Sequence, residues 1–171
     1  MASRDETAAR EEIDQRLTAA GWYVCDLDEA DIHAHPGLAI REFPLRTSHG
    51  FADYMLYLNA KAAGVIEAKK AGTSLTGVEI QSDKYTHGLP NELPAWFRPL
   101  PFAYQSTGVE TRFTNVFDPD ARSRTVFSFH RPETLAAWLS DEAAGGDHRL
   151  RRVDPAGQSE LGHFLDQRRQ P

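Results

Sequence analysis

The chain has 171 residues, the length of one ordinary domain, and is 40% hydrophobic, enough to bury a core without disulfide support. One cysteine excludes an intrachain disulfide, no apolar run could span a membrane, and the polar N-terminus lacks the apolar stretch of a signal peptide, so we expect a cytoplasmic protein. The formal net charge of −6 counts against a surface that is broadly basic and binds nucleic acid, although a local basic cluster still could.

Hydrophobic periodicity predicts an α/β domain with a central mixed sheet flanked by helices. A first helix is expected over residues 5–20, where apolar residues recur at helical spacing up to Gly21. The predicted strands, in chain order, are 22–27, 39–45, 51–58, 62–69, 102–106, 111–117 and 125–129. Further helices are predicted, on either side of an irregular proline-rich segment, at 76–87, 132–142 and 158–168.

The strand that contains the sequence VIEAK carries an informative pair of charges. Glu67 and Lys69 are two residues apart among apolar neighbours, so their side chains leave the same face of a sheet. Charges on a buried strand are costly unless they are paired or used, which suggests a metal ion on the carboxylate with the lysine beside it. So short a pattern more often marks charges on a solvated hairpin, and the hypothesis therefore depends on the neighbouring strand.

The preceding strand brings a second carboxylate to the same place. If the two strands form a hairpin, counting outwards from Leu58 opposite Ala62 places Asp53 opposite Glu67. Two carboxylates can share a hard divalent cation such as Mg²⁺, which prefers a few carboxylates together with waters and phosphate oxygens. In this hypothesis Asp53 and Glu67 hold the metal, and Lys69 orients or deprotonates an attacking water.

Five segments surround these residues in a fixed order: ETAAREEIDQRLTAAGW, REFPLRTSHGFADYMLYL, GVIEAKKAGTSLTGVEIQSDKY, FAYQSTG and FSFHRPETLAAWL. Together with Asp53 and Glu67-Ala-Lys69, they resemble the PD-(D/E)XK nuclease superfamily and, more narrowly, the N-terminal nuclease domain of type I restriction enzyme R (HsdR) subunits. The resemblance implies a restriction-endonuclease-like core over residues 1–142 and Mg²⁺-dependent hydrolysis of phosphodiester bonds in double-stranded DNA. It also implies assembly with the methylation and specificity subunits of a restriction complex.

The same resemblance implies roles for further residues. Gln81 and Tyr85, four apart on a predicted helix, match a motif that positions the DNA strand or a water beside the active site; the alternative is an ordinary, partly buried pair. The backbone carbonyl of Ala68 would be a further metal ligand. Glu6 on the first helix would reach the metal or its waters, although an acidic residue favoured by the helix dipole explains it equally well.

Two departures from the family pattern bear on what this chain does. Ala52 precedes Asp53 where the superfamily motif has proline. The sequence also contains no GxxxxGK(S/T) phosphate loop, so ATP is expected only as a cofactor of a full-length R subunit. Residues 143–171 are expected to form a linker and a short helix that lead towards a motor domain absent from this chain.

Two alternatives stay open. A non-catalytic docking module with a nuclease fold would account for the acidic net charge. Another PD-(D/E)XK nuclease, acting in DNA repair or on junctions, would share the same candidate residues. Metal binding distinguishes the first alternative, and cleavage that depends on DNA ends or junctions distinguishes the second.

Overall fold

A computed structural model describes residues 4–46, 48–76, 86–145 and 151–152 of the chain. Its helices are α1 (Arg4–Ala19) and α2 (Pro132–Gly145), and a short 3₁₀ turn covers Leu27–Glu29. The strands are β1 (Tyr23–Cys25), β2 (Gly37–Pro44), β3 (Phe51–Leu58), β4 (Lys61–Ala68), β5 (Phe97–Arg98), β6 (Phe102–Ser106), β7 (Thr111–Asn115), β8 (Arg124–Val126) and β9 (Arg151–Arg152).

Seven of these strands form a mixed sheet in the order β1-β2-β3-β4-β6-β7-β8. The pairs β1–β2 and β4–β6 are parallel, and the other neighbours in this sheet are antiparallel. Strand β4 therefore lies at the centre, and the parallel partner β6 runs beside the residues that follow Gly64. The strands β5 and β9 form a separate two-stranded pair.

Both faces of the central strands are covered, which explains their nearly continuous apolar sequences. On one face α1 contributes Ile13 and Leu17 and α2 contributes Leu135 and Leu139 to a buried cluster with Phe102. The other face is covered without a described helix, mainly by the segment before β6, whose buried residues are Leu89, Leu93, Ala95 and Leu100. The central strands are consequently held from both sides.

The structure confirms the α/β class and the mixed sheet, with differences at the ends of elements. Strand β8 ends at Val126, three residues before the predicted end, and the next residue, Phe127, is fully exposed. Helix α2 continues to Gly145, beyond the predicted end at residue 142, and Arg151–Arg152 pairs with β5 in a region predicted to be a linker. None of the helices described is long and apolar enough to cross a membrane.

Other sequence predictions are not tested by the described residues. The predicted helix 158–168 lies outside them, and so does most of the helix 76–87, of which only Thr86 and His87 are described, both helical. The division into a domain ending at residue 142 and a following linker stays a prediction.

The β3–β4 hairpin has the predicted register away from its loop, but the pairing next to the loop differs from the prediction. Its loop has two residues, Asn59 and Ala60, both with positive φ (49° and 66°), as hairpin turns favour. Leu58 consequently pairs with Lys61, and the predicted pairing of Leu58 with Ala62 was wrong. A bulge opposite Leu56 and Tyr57 inserts one extra residue in β4, so the later pairs regain the register that was predicted.

A close approach between β4 and β6 yields a stability prediction. A Cβ at Gly64 would lie 2.6 Å from the carbonyl oxygen and 2.8 Å from the Cβ of Phe102, whereas one at Gly145 would meet nothing within 4 Å. We expect Gly64→Ala to lower the free energy of unfolding by about 1–3 kcal/mol, because the strands must separate. The matched control Gly145→Ala should leave it unchanged or slightly raised. Equal urea midpoints for the two variants would show that the strands tolerate the methyl group.

Candidate active site

Asp53 lies at the end of the hairpin, where the ladder between β3 and β4 stops. The last ladder pair is Tyr54 with Ile66, and continuing it by one residue places Asp53 opposite Glu67. Beyond that pair the two strands are joined by the Asp53 side chain, whose Oδ2 accepts a hydrogen bond from the backbone N–H of Ala68 at 2.9 Å. The Asp53 carboxylate is thereby fixed to the backbone of the residue that follows Glu67.

Glu67 is a buried acid at the end of the central strand. Its side chain is 5% exposed, and its Oε1 lies 2.6 Å from the Nζ of Lys69, which is itself partly exposed. On its other side Glu67 adjoins Gln105, its register partner in the parallel pair β4–β6. The second carboxylate oxygen, Oε2, is buried and has no hydrogen-bond partner among the residues that the structure describes. A buried charge is tolerable when it is paired, but an oxygen left without a donor is a costly exception that calls for an explanation.

The oxygen atoms at this place fit a hard divalent cation. The unsatisfied Oε2 of Glu67 and the carboxylate of Asp53 are the ligand type that Mg²⁺ prefers. Within the described part of the chain, no three His, Cys, Asp or Glu side chains gather in a way that could hold a metal ion. An ion held here would therefore use these two carboxylates together with backbone or water oxygens. The backbone carbonyl of Ala68 as such a ligand stays a prediction.

Arg10 of helix α1 also belongs to the site, and the sequence analysis missed it. Its Nη2 lies 2.6 Å from Oδ1 of Asp53, and its Nη1 lies 2.7 Å from Oε1 of Glu42. Burial alone would lower the pKa of the Arg10 guanidinium, but the contacts with Glu42 and Asp53 outweigh it, so the pKa is raised. Both oxygens of Asp53 are thus engaged, one by Arg10 and the other by a backbone N–H.

Helix α1 is fastened to β3 directly beside this contact. The hydroxyl of Tyr54 donates to Oδ1 of Asp14 at 2.8 Å and approaches the carbonyl oxygen of Arg10 at 3.3 Å. Arg41 holds the other oxygen of Asp14, with its Nη2 at 2.9 Å. Burial and the hydrogen bond to Asp14 raise the pKa of Tyr54 well above its usual range, so the phenol keeps its proton. These contacts fix where Arg10 enters the site.

The other predicted site residues have different outcomes. Glu6 is exposed, and the α1 residue that contacts Asp53 is Arg10, one turn further along; a metal contact from Glu6 stays a prediction. Gln81 and Tyr85 lie outside the described residues. One sequence signal could have identified Arg10: Glu6, Arg10 and Asp14 recur every four residues and therefore share a helical face.

Part of the chain is similar in sequence to known proteins. Residues 30–98, which include Asp53, Glu67 and Lys69, match a family model described as the second domain of the type I restriction enzyme EcoKI endonuclease subunit. The EcoKI endonuclease subunit of Escherichia coli (strain K12) is 27% identical to the chain, over 92% of the chain and 17% of that subunit.

The fold has a relative among solved structures. A fragment assigned to the HsdR subunit of a type I restriction enzyme from Vibrio vulnificus YJ016 superposes with a TM-score of 0.57 at 19% identity, covering 84% of this chain and 27% of that one. The chain thus spans 17% of its curated relative and 27% of its structural relative. In sequence the chain is therefore similar to the endonuclease subunit of a type I restriction enzyme, and in fold it is similar to a fragment of an HsdR subunit.

Proposed function

We propose that this chain is the Mg²⁺-dependent endonuclease domain of a type I restriction R subunit and hydrolyses phosphodiester bonds of double-stranded DNA. The observation that carries the proposal is the buried Oε2 of Glu67, which lies beside Lys69 and Asp53 and lacks a hydrogen-bond partner in the described part of the chain. A purely structural Glu–Lys pair would have no reason to leave that oxygen unsatisfied. A glutamate that binds a metal ion has such a reason, because the lone pairs of the free oxygen coordinate the cation.

Asp53, Glu67 and Lys69 each have a distinct part in the proposed reaction. Asp53 and Glu67 would hold Mg²⁺, which when bound polarises the scissile phosphate and lowers the pKa of a bound water. Lys69 is 27% exposed, so its ammonium can face the substrate while it stays paired with Glu67. From there it would orient the attacking water and offset the negative charge that develops on the phosphate. The fixed backbone around Ala68 keeps these groups in place before substrate arrives.

The proposed partners follow from the relatives. The related EcoKI protein is named as an endonuclease subunit of a type I restriction enzyme, which motivates double-stranded DNA as substrate. We propose assembly with the methylation and specificity subunits, which would read the DNA sequence. ATP would be a cofactor of the full-length R subunit alone, since this chain has no phosphate-binding loop.

A second candidate, a non-catalytic docking module, is favoured by two observations. The net charge of −6 repels DNA, and Arg10 already neutralises the Asp53 carboxylate. In such a module the carboxylates would serve only to tie α1 to the sheet. The two functions differ in metal binding, which the first of the following experiments measures.

Metal binding should stabilise the folded chain through the two carboxylates. We expect saturating Mg²⁺ or Mn²⁺ to raise the melting temperature, because a ligand that binds only the native state stabilises it by mass action. The near-isosteric variants Asp53→Asn and Glu67→Gln should lose this increase. The control Glu12→Gln changes a partly exposed acid on α1 that pairs with Arg16, and it should keep the increase. An equal increase in all four proteins would place the ion elsewhere, and no increase in any would favour the docking module.

Lys69 should matter for cleavage far more than its neighbour. In an R subunit assembled with its partners, Mg²⁺ and ATP, we expect Lys69→Ala to slow plasmid cleavage by about 100-fold or more, the usual effect of losing a positioned acid–base or electrostatic group. Lys70→Ala removes an exposed lysine of the same charge and should cut within about twofold of the wild type. Unimpaired cutting by Lys69→Ala would reject its role.

A further inference from the structure

Asp53, Glu42 and Glu67 are each paired with a cation of the chain itself. The guanidinium of Arg10 bridges Asp53 and Glu42 with contacts of 2.6 and 2.7 Å, and Lys69 pairs with Glu67 at 2.6 Å. The pairs formed by Arg10 and by Lys69 thus stand at the same end of the β3–β4 hairpin. Neither Asp53 nor Arg10 is freely solvated, since their side chains are 22% and 33% exposed. Their attraction is accordingly less screened than that of a fully exposed pair.

The position of Arg10 is built into the fold. Its helix is fixed to β3 by Tyr54 and Asp14, and its second carboxylate partner, Glu42, stands in β2 with a positive φ of 49°. A left-handed backbone is unusual for a residue other than glycine, asparagine or aspartate. Glu42 lies between the ladder residues Arg41 and Phe43, whose partners in β3 flank Asp53. The β2 irregularity therefore places a carboxylate where it can hold Arg10 against Asp53.

From this geometry we propose that Arg10 competes with the divalent cation for Asp53, closing the metal site of the ion-free chain and yielding when the ion binds. This inference rests on the proposed metal-dependent function. A divalent ion bound to Asp53 would lie about 2 Å from a carboxylate oxygen, and the guanidinium contacts the same carboxylate. Two cations so close repel each other, so each weakens the hold of the other on Asp53.

The competition predicts a gain of metal affinity when the charge is removed. By calorimetric titration of the chain with Mn²⁺, we expect Arg10→Gln to bind about tenfold more tightly than the wild type, a modest outcome for removing one nearby cation. Arg10→Lys retains the charge and should stay within about threefold of the wild type. The matched control Arg16→Gln, which removes an arginine paired with Glu12 on the same helix, should bind like the wild type. Circular dichroism melts confirm that each variant is folded.

The outcomes separate the two proposals. Tighter binding by Arg10→Gln alone, abolished when Asp53→Asn is added, supports competition. Equal affinity of wild type and Arg10→Gln, with binding that still needs Asp53, overturns the role of Arg10 and leaves the metal site standing. If Arg10→Lys binds Mn²⁺ as tightly as Arg10→Gln does, the shape of the side chain and not its charge controls metal binding, which also overturns the proposal. No Asp53-dependent binding in any variant overturns both the metal site and the competition.

Discussion

The candidate site depends on one costly arrangement, a carboxylate buried at the end of the central strand. Glu67 is almost completely enclosed, and the free energy of removing its charge from water must be offset nearby. Lys69 offsets part of it through Oε1, but none of the described residues donates a hydrogen bond to Oε2. We infer that a fold that buries this oxygen where two strands and a helix meet uses its lone pairs to bind a divalent ion, and the neighbouring Asp53 supports that inference.

The fold and the placement of Glu67 beside Lys69 could be predicted from the sequence because they follow from short-range patterns. Two-residue spacing fixes that Glu67 and Lys69 share a face, and apolar runs identify the buried strands. The pairing of Asp53 with Glu67 was predicted, although the pairing predicted next to the loop, Leu58 with Ala62, was wrong. A two-residue loop shifts the pairing by one, and a bulge shifts it back, so the distant pairing of Asp53 survives. Bulges leave little trace in composition, because the extra residue, Ala63, is as apolar as its neighbours.

Arg10 could not be predicted with the same ease, because its contact depends on how a helix packs across the sheet. Sequence spacing places Glu6, Arg10 and Asp14 on one face of α1, but not which of them stands over Asp53. The network of Tyr54, Asp14 and Arg41 decides this by fixing the helix along its axis. The acidic Glu6 matched the family pattern better, yet the side chain that reaches Asp53 carries the opposite charge.

The charge balance of the site also bears on the acidic surface of the chain. Carboxylates that hold a metal add to the net negative charge, so a value of −6 does not by itself argue against a nuclease that receives DNA from partner subunits. The cations Arg10 and Lys69 are each paired with a carboxylate, which would suit the proposed order in which the site meets phosphate only after a metal ion binds. The acidic balance and the arrangement of Arg10 and Lys69 are thus compatible with one function.

The central claim is that a single divalent ion is held between Asp53 and the unsatisfied oxygen of Glu67. Anomalous diffraction from crystals of the chain soaked in Mn²⁺ tests it most directly, because manganese identifies itself by its scattering. The account predicts one strong anomalous peak within coordination distance of both carboxylates, about 2 Å from each ligand oxygen. A saturated crystal with no peak there, or with Oε2 of Glu67 still uncoordinated and manganese bound elsewhere, would contradict it.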